Sequence, residues 1–140
     1  MSNTGKFDVS LLVTHPTLSA DEITASLMLR PVHARSVGAR RIVGGKDLGG
    51  VHPRTFVNLA VSDGVLDNDE IEITDCIEKA METIPLDALD QIIASGGECA
   101  FSVGIYSSKN IMSCFWPGLL SQLADHDIGL DLDFYADPTK

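Results

Sequence analysis

Phe7, Val9, Leu11 and Val13 alternate with Asp8, Ser10, Leu12 and Thr14, and the same period of two returns at Cys99, Phe101, Val103 and Ile105. Alternation of this kind buries one face of a strand and leaves the other wet. Between the two runs the period becomes helical, at Ile73, Ile77, Ala80, Met81 and Ile84 and then at Leu86, Leu89, Ile92 and Ile93. A helix buries only one stripe, so a chain that switches between these periods must lay helices against one face of a sheet. At 140 residues the chain fits a single domain over 1–140, long enough to close a core without disulfides or metal.

The remaining elements follow from local signals. Ser19 and Glu22 have the capping-box spacing and predict a short helix to about Arg30, with Ile23 and Leu27 inward and Pro31 as its limit. Arg54 to Ser62 reads as a strand with Val57, Leu59 and Val61 on one face. Asp67, Asp69, Glu70 and Glu72 open the long helical stretch, where negative charge complements the helix dipole. Pro85 either kinks that stretch or starts a second piece, and Gly96-Gly97 closes it. After the strand at Cys99, the turn Ser107-Ser108-Lys109-Asn110 predicts a hairpin returning over Ile111 to Phe115. A helix over Pro117 to about His126 and a strand over Leu130 to Phe134 finish the chain. The expected order is β-α-β-α-β-β-α-β. It describes an α+β fold, a mostly antiparallel sheet with helices on one face, and a ferredoxin-like variant as the nearest architecture.

Charge separates the chain into two parts. The net charge is −10 and the pI near 4.5. Yet Arg30 to Arg54 holds six basic residues and one acid, Asp47. This basic span, about 31–53, carries Gly38, Gly44, Gly45, Gly49 and Gly50 and reads as a long loop with room for one short strand. An acidic body argues against nucleic acid and against an anionic membrane as partners. No apolar run is long enough to cross a bilayer, and the alternating N-terminal stretch is unlike a signal peptide, so a cytoplasmic protein is expected. Cys76, Cys99 and Cys114 have neither disulfide nor zinc-ligand spacing and are expected as buried thiols.

Several phrases together resemble an uncharacterised bacterial family catalogued as domain of unknown function 4279. They are the opening strand, Asp21-Glu22-Ile23-Thr24 leading to Arg30-Pro31, the basic glycine-containing span and the acidic-start helix. The most specific are Leu119-Leu120, Leu123-Ala124 and Gly129-Leu130-Asp131-Leu132-Asp133-Phe134-Tyr135. Family members often carry a tryptophan in the strand after the basic span, where this chain has Arg54-Thr55-Phe56-Val57-Asn58-Leu59. The resemblance spans nearly the whole chain and implies a fold and a bacterial source, without an activity.

The candidate site residues lie on the wet face of the sheet and on the basic span. Asp131 and Asp133, two apart on a strand, point the same way about 6.5–7 Å apart. With Asp125 and Asp127 they offer a hard-cation or acid/base reading against that of a solvated strand face, and no EF-hand pattern accompanies them. His126 between Asp125 and Asp127 is the best acid/base candidate among His15, His33, His52 and His126, set against simple capping of a helix end. Gly44-Gly45-Lys46 lacks the P-loop pattern, and no Gly-x-Ser-x-Gly elbow occurs. Arg35, Arg40 and Arg41 can clamp a small anion. Tyr106 and Tyr135 share the open face with Asp8, Ser10, Asn58, Ser102, Gly104, Asp131 and Asp133, and the basic span is expected to lie across that face and form a groove. RNA, which also uses tyrosines on sheets, needs basic surroundings and is excluded. The expected function is a non-enzymatic protein-interaction module engaging a protein partner or forming a homo-dimer, with an immunity-like role toward a basic toxin as one instance. The alternative is a sensor of a small anionic ligand, followed by a hydrolase-type enzyme using His126. No cofactor or metal is implied.

Overall fold

The computed structural model describes residues 5–107 and 111–135. Its centre is β1 (Lys6–His15), which pairs antiparallel with β5 (Thr55–Ala60) on one side and with β7 (Glu98–Tyr106) on the other. β2 (Arg30–Arg35) adds antiparallel to β5, and β8 (Ile128–Tyr135) adds parallel to β7. The strand order is therefore β2-β5-β1-β7-β8, with the two-residue β6 (Leu66–Asp67) also joined to β1. Between β5 and β6, Ser62 stands in for the ladder: its Oγ accepts from the Val9 amide at 3.0 Å, and its own amide donates to the Val9 carbonyl at 2.9 Å.

One face of this sheet carries Phe7, Val9, Leu11, Val13, Val57, Leu59, Phe101 and Val103, each essentially inaccessible to water. Four helices cover it: α1 (Ala20–Leu27), α2 (Ile73–Thr83), α3 (Leu86–Ala94) and α4 (Pro117–Asp125). Ile23, Leu27, Ile73, Ile77, Leu89, Ile92, Leu119 and Leu123 join the same core. Each such side chain contributes about 1.5–3 kcal/mol on burial. The α+β class and the mostly antiparallel sheet, with one parallel pair, agree with the sequence pattern.

The order of elements differs from the expected one, for three local reasons. First, α1 starts on the capping box, with the Glu22 amide donating to Ser19 Oγ at 3.1 Å, but stops at Leu27. Met28 takes a left-handed backbone (φ 58°) and turns the chain into β2, so Arg30-Pro31 belongs to a strand. Second, the basic glycine-rich span is not a loop. It holds β2 and a separate hairpin of β3 (Arg40–Val43) and β4 (Lys46–Val51). Gly44 and Gly45 both have positive φ and make the two-residue turn that a tight hairpin requires. Two further residues on β4, Gly49 and Gly50, also at positive φ, are absorbed as a bulge between the Arg40–Val51 and Ile42–Asp47 pairs. Third, the expected strand over Ile111–Phe115 does not form, and part of its turn lies outside the described residues. Ile111 instead packs into the space left by the absent side chain of Gly5, and the chain continues through α4 to a parallel β8. The strand order accordingly departs from a ferredoxin-like one. Pro85 resolves as the N-cap of α3, with Ile84 extended before it.

His15 ends β1 fully buried. Its Nδ1 accepts from the Thr17 and Leu18 amides at 3.0 and 2.9 Å, and its Nε2 donates to Ser95 Oγ at 2.8 Å. This arrangement needs the neutral ring. Burial, helped by the Arg54 charge and opposed by Glu22, pushes its pKa below the ordinary 6.5. The unfolded chain then binds the extra proton first, so stability is complete above about pH 6.5 and is lost as pH falls toward the folded-state pKa. Thermal unfolding followed between pH 7.5 and 5 will show a falling midpoint. In His15→Gln that slope becomes shallower, while stability at neutral pH drops by about 1–3 kcal/mol from unsatisfied amides.

Candidate functional site

The second face of the sheet has no helix on it. The strand register places its residues in rows running across the sheet. One row is Arg30–Ala60–Ser10–Ser102–Asp131, and the next contains Asp8–Gly104–Asp133. The first row is small in the middle and charged at both rims, whereas the second carries Asp8 on the central strand. Five strands about 4.8 Å apart set the two rims roughly 19 Å from each other. Arg30 and Asp131 therefore cannot reach one another, and the face is cationic along β2 and anionic along β8.

A trough of about 350 Å³ runs over these rows. Its floor is Ser10, Ala60, Ser102 and Gly104, with Arg30 and Val32 on the β2 side and Asp133 and Tyr135 on the β8 side. Tyr106 and Tyr135 are register partners, and their rings stack with centroids 4.9 Å apart and planes 14° from parallel. The Tyr106 hydroxyl donates to Asp8 Oδ2 at 3.1 Å. It can do so because it lies over Gly104, where an added Cβ would stand 2.6 Å from Asp8 Oδ1 and 2.9 Å from the Tyr106 oxygen. Burial and the hydrogen bond to Asp8 push the Tyr106 pKa up. A hydrogen bond to Asp133 and that residue's negative charge do the same to Tyr135. Both hydroxyls therefore stay protonated. The aromatic faces and two carboxylates concentrate negative potential at this end. Asn58 Oδ1, also on the trough, is buried without a hydrogen-bond partner among the described residues, so an acceptor there is unused.

Of the open-face residues read from the sequence, Asp8, Ser10, Asn58, Ser102, Gly104, Tyr106, Asp133 and Tyr135 all line this trough. Asp131 lines an adjoining hollow of about 550 Å³ with Leu12, Thr14, Cys99 and Asp127. Burial pushes the Cys99 thiol pKa up to about 12, and that of Cys76 up as well, so both are inert thiols, whereas Cys114 is exposed rather than buried. The arginines do not assemble into a clamp. Arg35 lies over the Phe56 ring at 5.0 Å from its centroid, Arg40 is engaged by Asp47 within the hairpin, and Arg41 stands exposed on β3. The cation on the trough is Arg30, which local sequence gave no reason to single out because its row depends on the β2–β5 register.

Asp47 organises the hairpin from inside. It accepts from the Gly49 amide at 2.8 Å and pairs with Arg40, and the amide hydrogen bond first and the guanidinium second hold its carboxyl below the usual range. The hairpin does not cross the open face, contrary to expectation: every residue from 38 to 51 is exposed. Its base is anchored, with the Ala20 amide donating to Ser36 Oγ at 2.9 Å and the Val37 amide to Thr55 Oγ1 at 2.8 Å. Beyond that base its strands project about 13 Å into solvent. His126 caps α4 and pairs through Nδ1 with Asp90 on α3 at 2.8 Å, a helix-to-helix tie. Among the described residues no cluster of three His, Cys, Asp or Glu side chains could hold a metal ion, and no helix is long and apolar enough to cross a membrane. No known family, curated protein or solved structure matches the chain.

The tyrosine geometry is testable by ultraviolet titration of the phenols. Asp8→Asn will lower the Tyr106 transition toward the ordinary value near 10 and leave Tyr135 less changed. Gly104→Ala will displace the Tyr106 hydroxyl and break its bond to Asp8, with the same direction of shift.

Proposed function

We propose that this chain is a non-enzymatic protein-interaction module whose acidic, tyrosine-lined half of the trough receives a cationic side chain from a protein partner. The observation that carries this reading is the Tyr106–Tyr135 stack flanked by Asp8 and Asp133. A guanidinium or ammonium group there gains both carboxylate pairing and an aromatic face. An acidic body steers basic partners toward it, and an immunity role toward a basic, nucleic-acid-acting toxin is one instance. The same reading assigns the chain to the cytoplasm and to the uncharacterised bacterial family its residues resemble. The small-anion reading draws less support, because Arg35 and Arg40 are engaged elsewhere.

Tetra-arginine titrated calorimetrically into the full chain will give saturable heat, and tetra-glutamate none. Tyr106→Ala will weaken arginine binding by about 0.5–2 kcal/mol, about 2- to 30-fold, the worth of one cation–π contact. Asp8→Asn with Asp133→Asn will abolish it, and salt will weaken it in the wild type as screening shortens the reach of the carboxylates. Equal heats for tetra-arginine and tetra-glutamate would sink the reading.

A further inference from the structure

We propose that the cationic partner is a second copy of this chain, and that two open sheet faces meet across a twofold axis running parallel to the strands. The inference rests on the reading of the acidic rim as a cation-binding surface and names its occupant. Each protomer carries both halves of the contact on one face: Arg30, His33 and Arg35 share the open side along β2, and Asp131, Asp133 and Tyr135 share it along β8. The rims are too far apart to neutralise each other within one chain. A twofold axis parallel to β1 inverts each row in place and, because Arg30 and Asp131 end the same row, sets Arg30 of each copy over Asp131 of the other. An axis across the strands would instead bring arginine to arginine and aspartate to aspartate. Charge polarity therefore selects one of the two face-to-face arrangements, and self-complementarity of this kind is what an isologous dimer requires. The centre of the Arg30–Asp131 row is Ala60, Ser10 and Ser102, small enough for two sheets to approach closely there.

The experiment is native mass spectrometry and light scattering of the full chain with two charge reversals, Arg30→Glu and Asp131→Arg, both at exposed strand positions. The wild type is expected at the mass of two 15.0 kDa chains, falling to one at high salt. Each variant alone is expected as a single chain, because both rim contacts then set like charges together. Mixed in equal amounts they are expected to form a one-to-one heterodimer, in which Glu meets Arg at one rim and the native pair meets at the other. Recovery on mixing also shows that both variants are folded. A wild type that runs as a single chain overturns the inference, and so do variants that stay dimeric alone or stay single when mixed. A single-chain wild type that still binds tetra-arginine loses the second copy as occupant and keeps the interaction reading, whereas one that ignores tetra-arginine loses both.

Discussion

The double pairing of β1 decides nearly everything else in this molecule. Because Ser10 lies opposite Ala60 on one side and opposite Ser102 on the other, the whole sheet shares one phase of alternation. A shift of one residue in either ladder would turn Phe7, Val9, Leu11 and Val13 away from neighbours that bury with them. The apolar cost of that shift holds the register, and the register in turn assembles the wet face. Asp8 meets Gly104, Gly104 meets Asp133, and Tyr106 meets Tyr135, without any of these polar residues having to specify the contact. The site is in this sense a by-product of core packing, positioned by side chains on the opposite side of the sheet.

That dependence explains which parts were readable from sequence. Periods of two and 3.6 are local, so β1, β5, β7, β8 and the helical stretches were legible, with the break at Pro85 left open, as was membership of the open face. Pairing partners are not local. Nothing near Arg30 announces that it shares a row with Ser10 and Asp131, and nothing near Asp8 announces a bond to Tyr106, 98 residues away. The basic span was misread for a different reason. Gly44-Gly45 is a strong hairpin turn, but Ile42, Val43, Leu48 and Val51 are separated by charges and by the Gly49-Gly50 bulge, so no clean alternation flags the strands. The predicted hairpin at Ile111 failed because a return antiparallel to β7 competes with the helical route through Pro117, whose ring favours the first turn of α4.

Charge on this chain is partitioned more sharply than its net value of −10 conveys. The excess acid spread over a body of this size opposes compaction only weakly, since exposed like charges are screened beyond about 10 Å at 0.1 M salt. The internal separation has the larger consequence. Half of the ten basic residues sit on β2 and the hairpin, and Asp131 and Asp133 line the far edge of the same sheet. The one close pair in the arm, Arg40 with Asp47, is spent on shaping the β4 bulge.

Edge strands with free backbone groups normally invite uncontrolled pairing, and the main sheet ends on two among the described residues, β2 and β8. Each is guarded by charge of one sign, Arg30 and Arg35 on β2, Asp131 and Asp133 on β8. Like edges therefore repel: β2 rejects β2 and β8 rejects β8. The same charges leave the unlike edges, β2 and β8, as the attractive combination. In the proposed dimer the residues that guard the edges also make the contact, which leaves little freedom at those positions. Neutralising either edge removes a partner and opens a strand edge in one step.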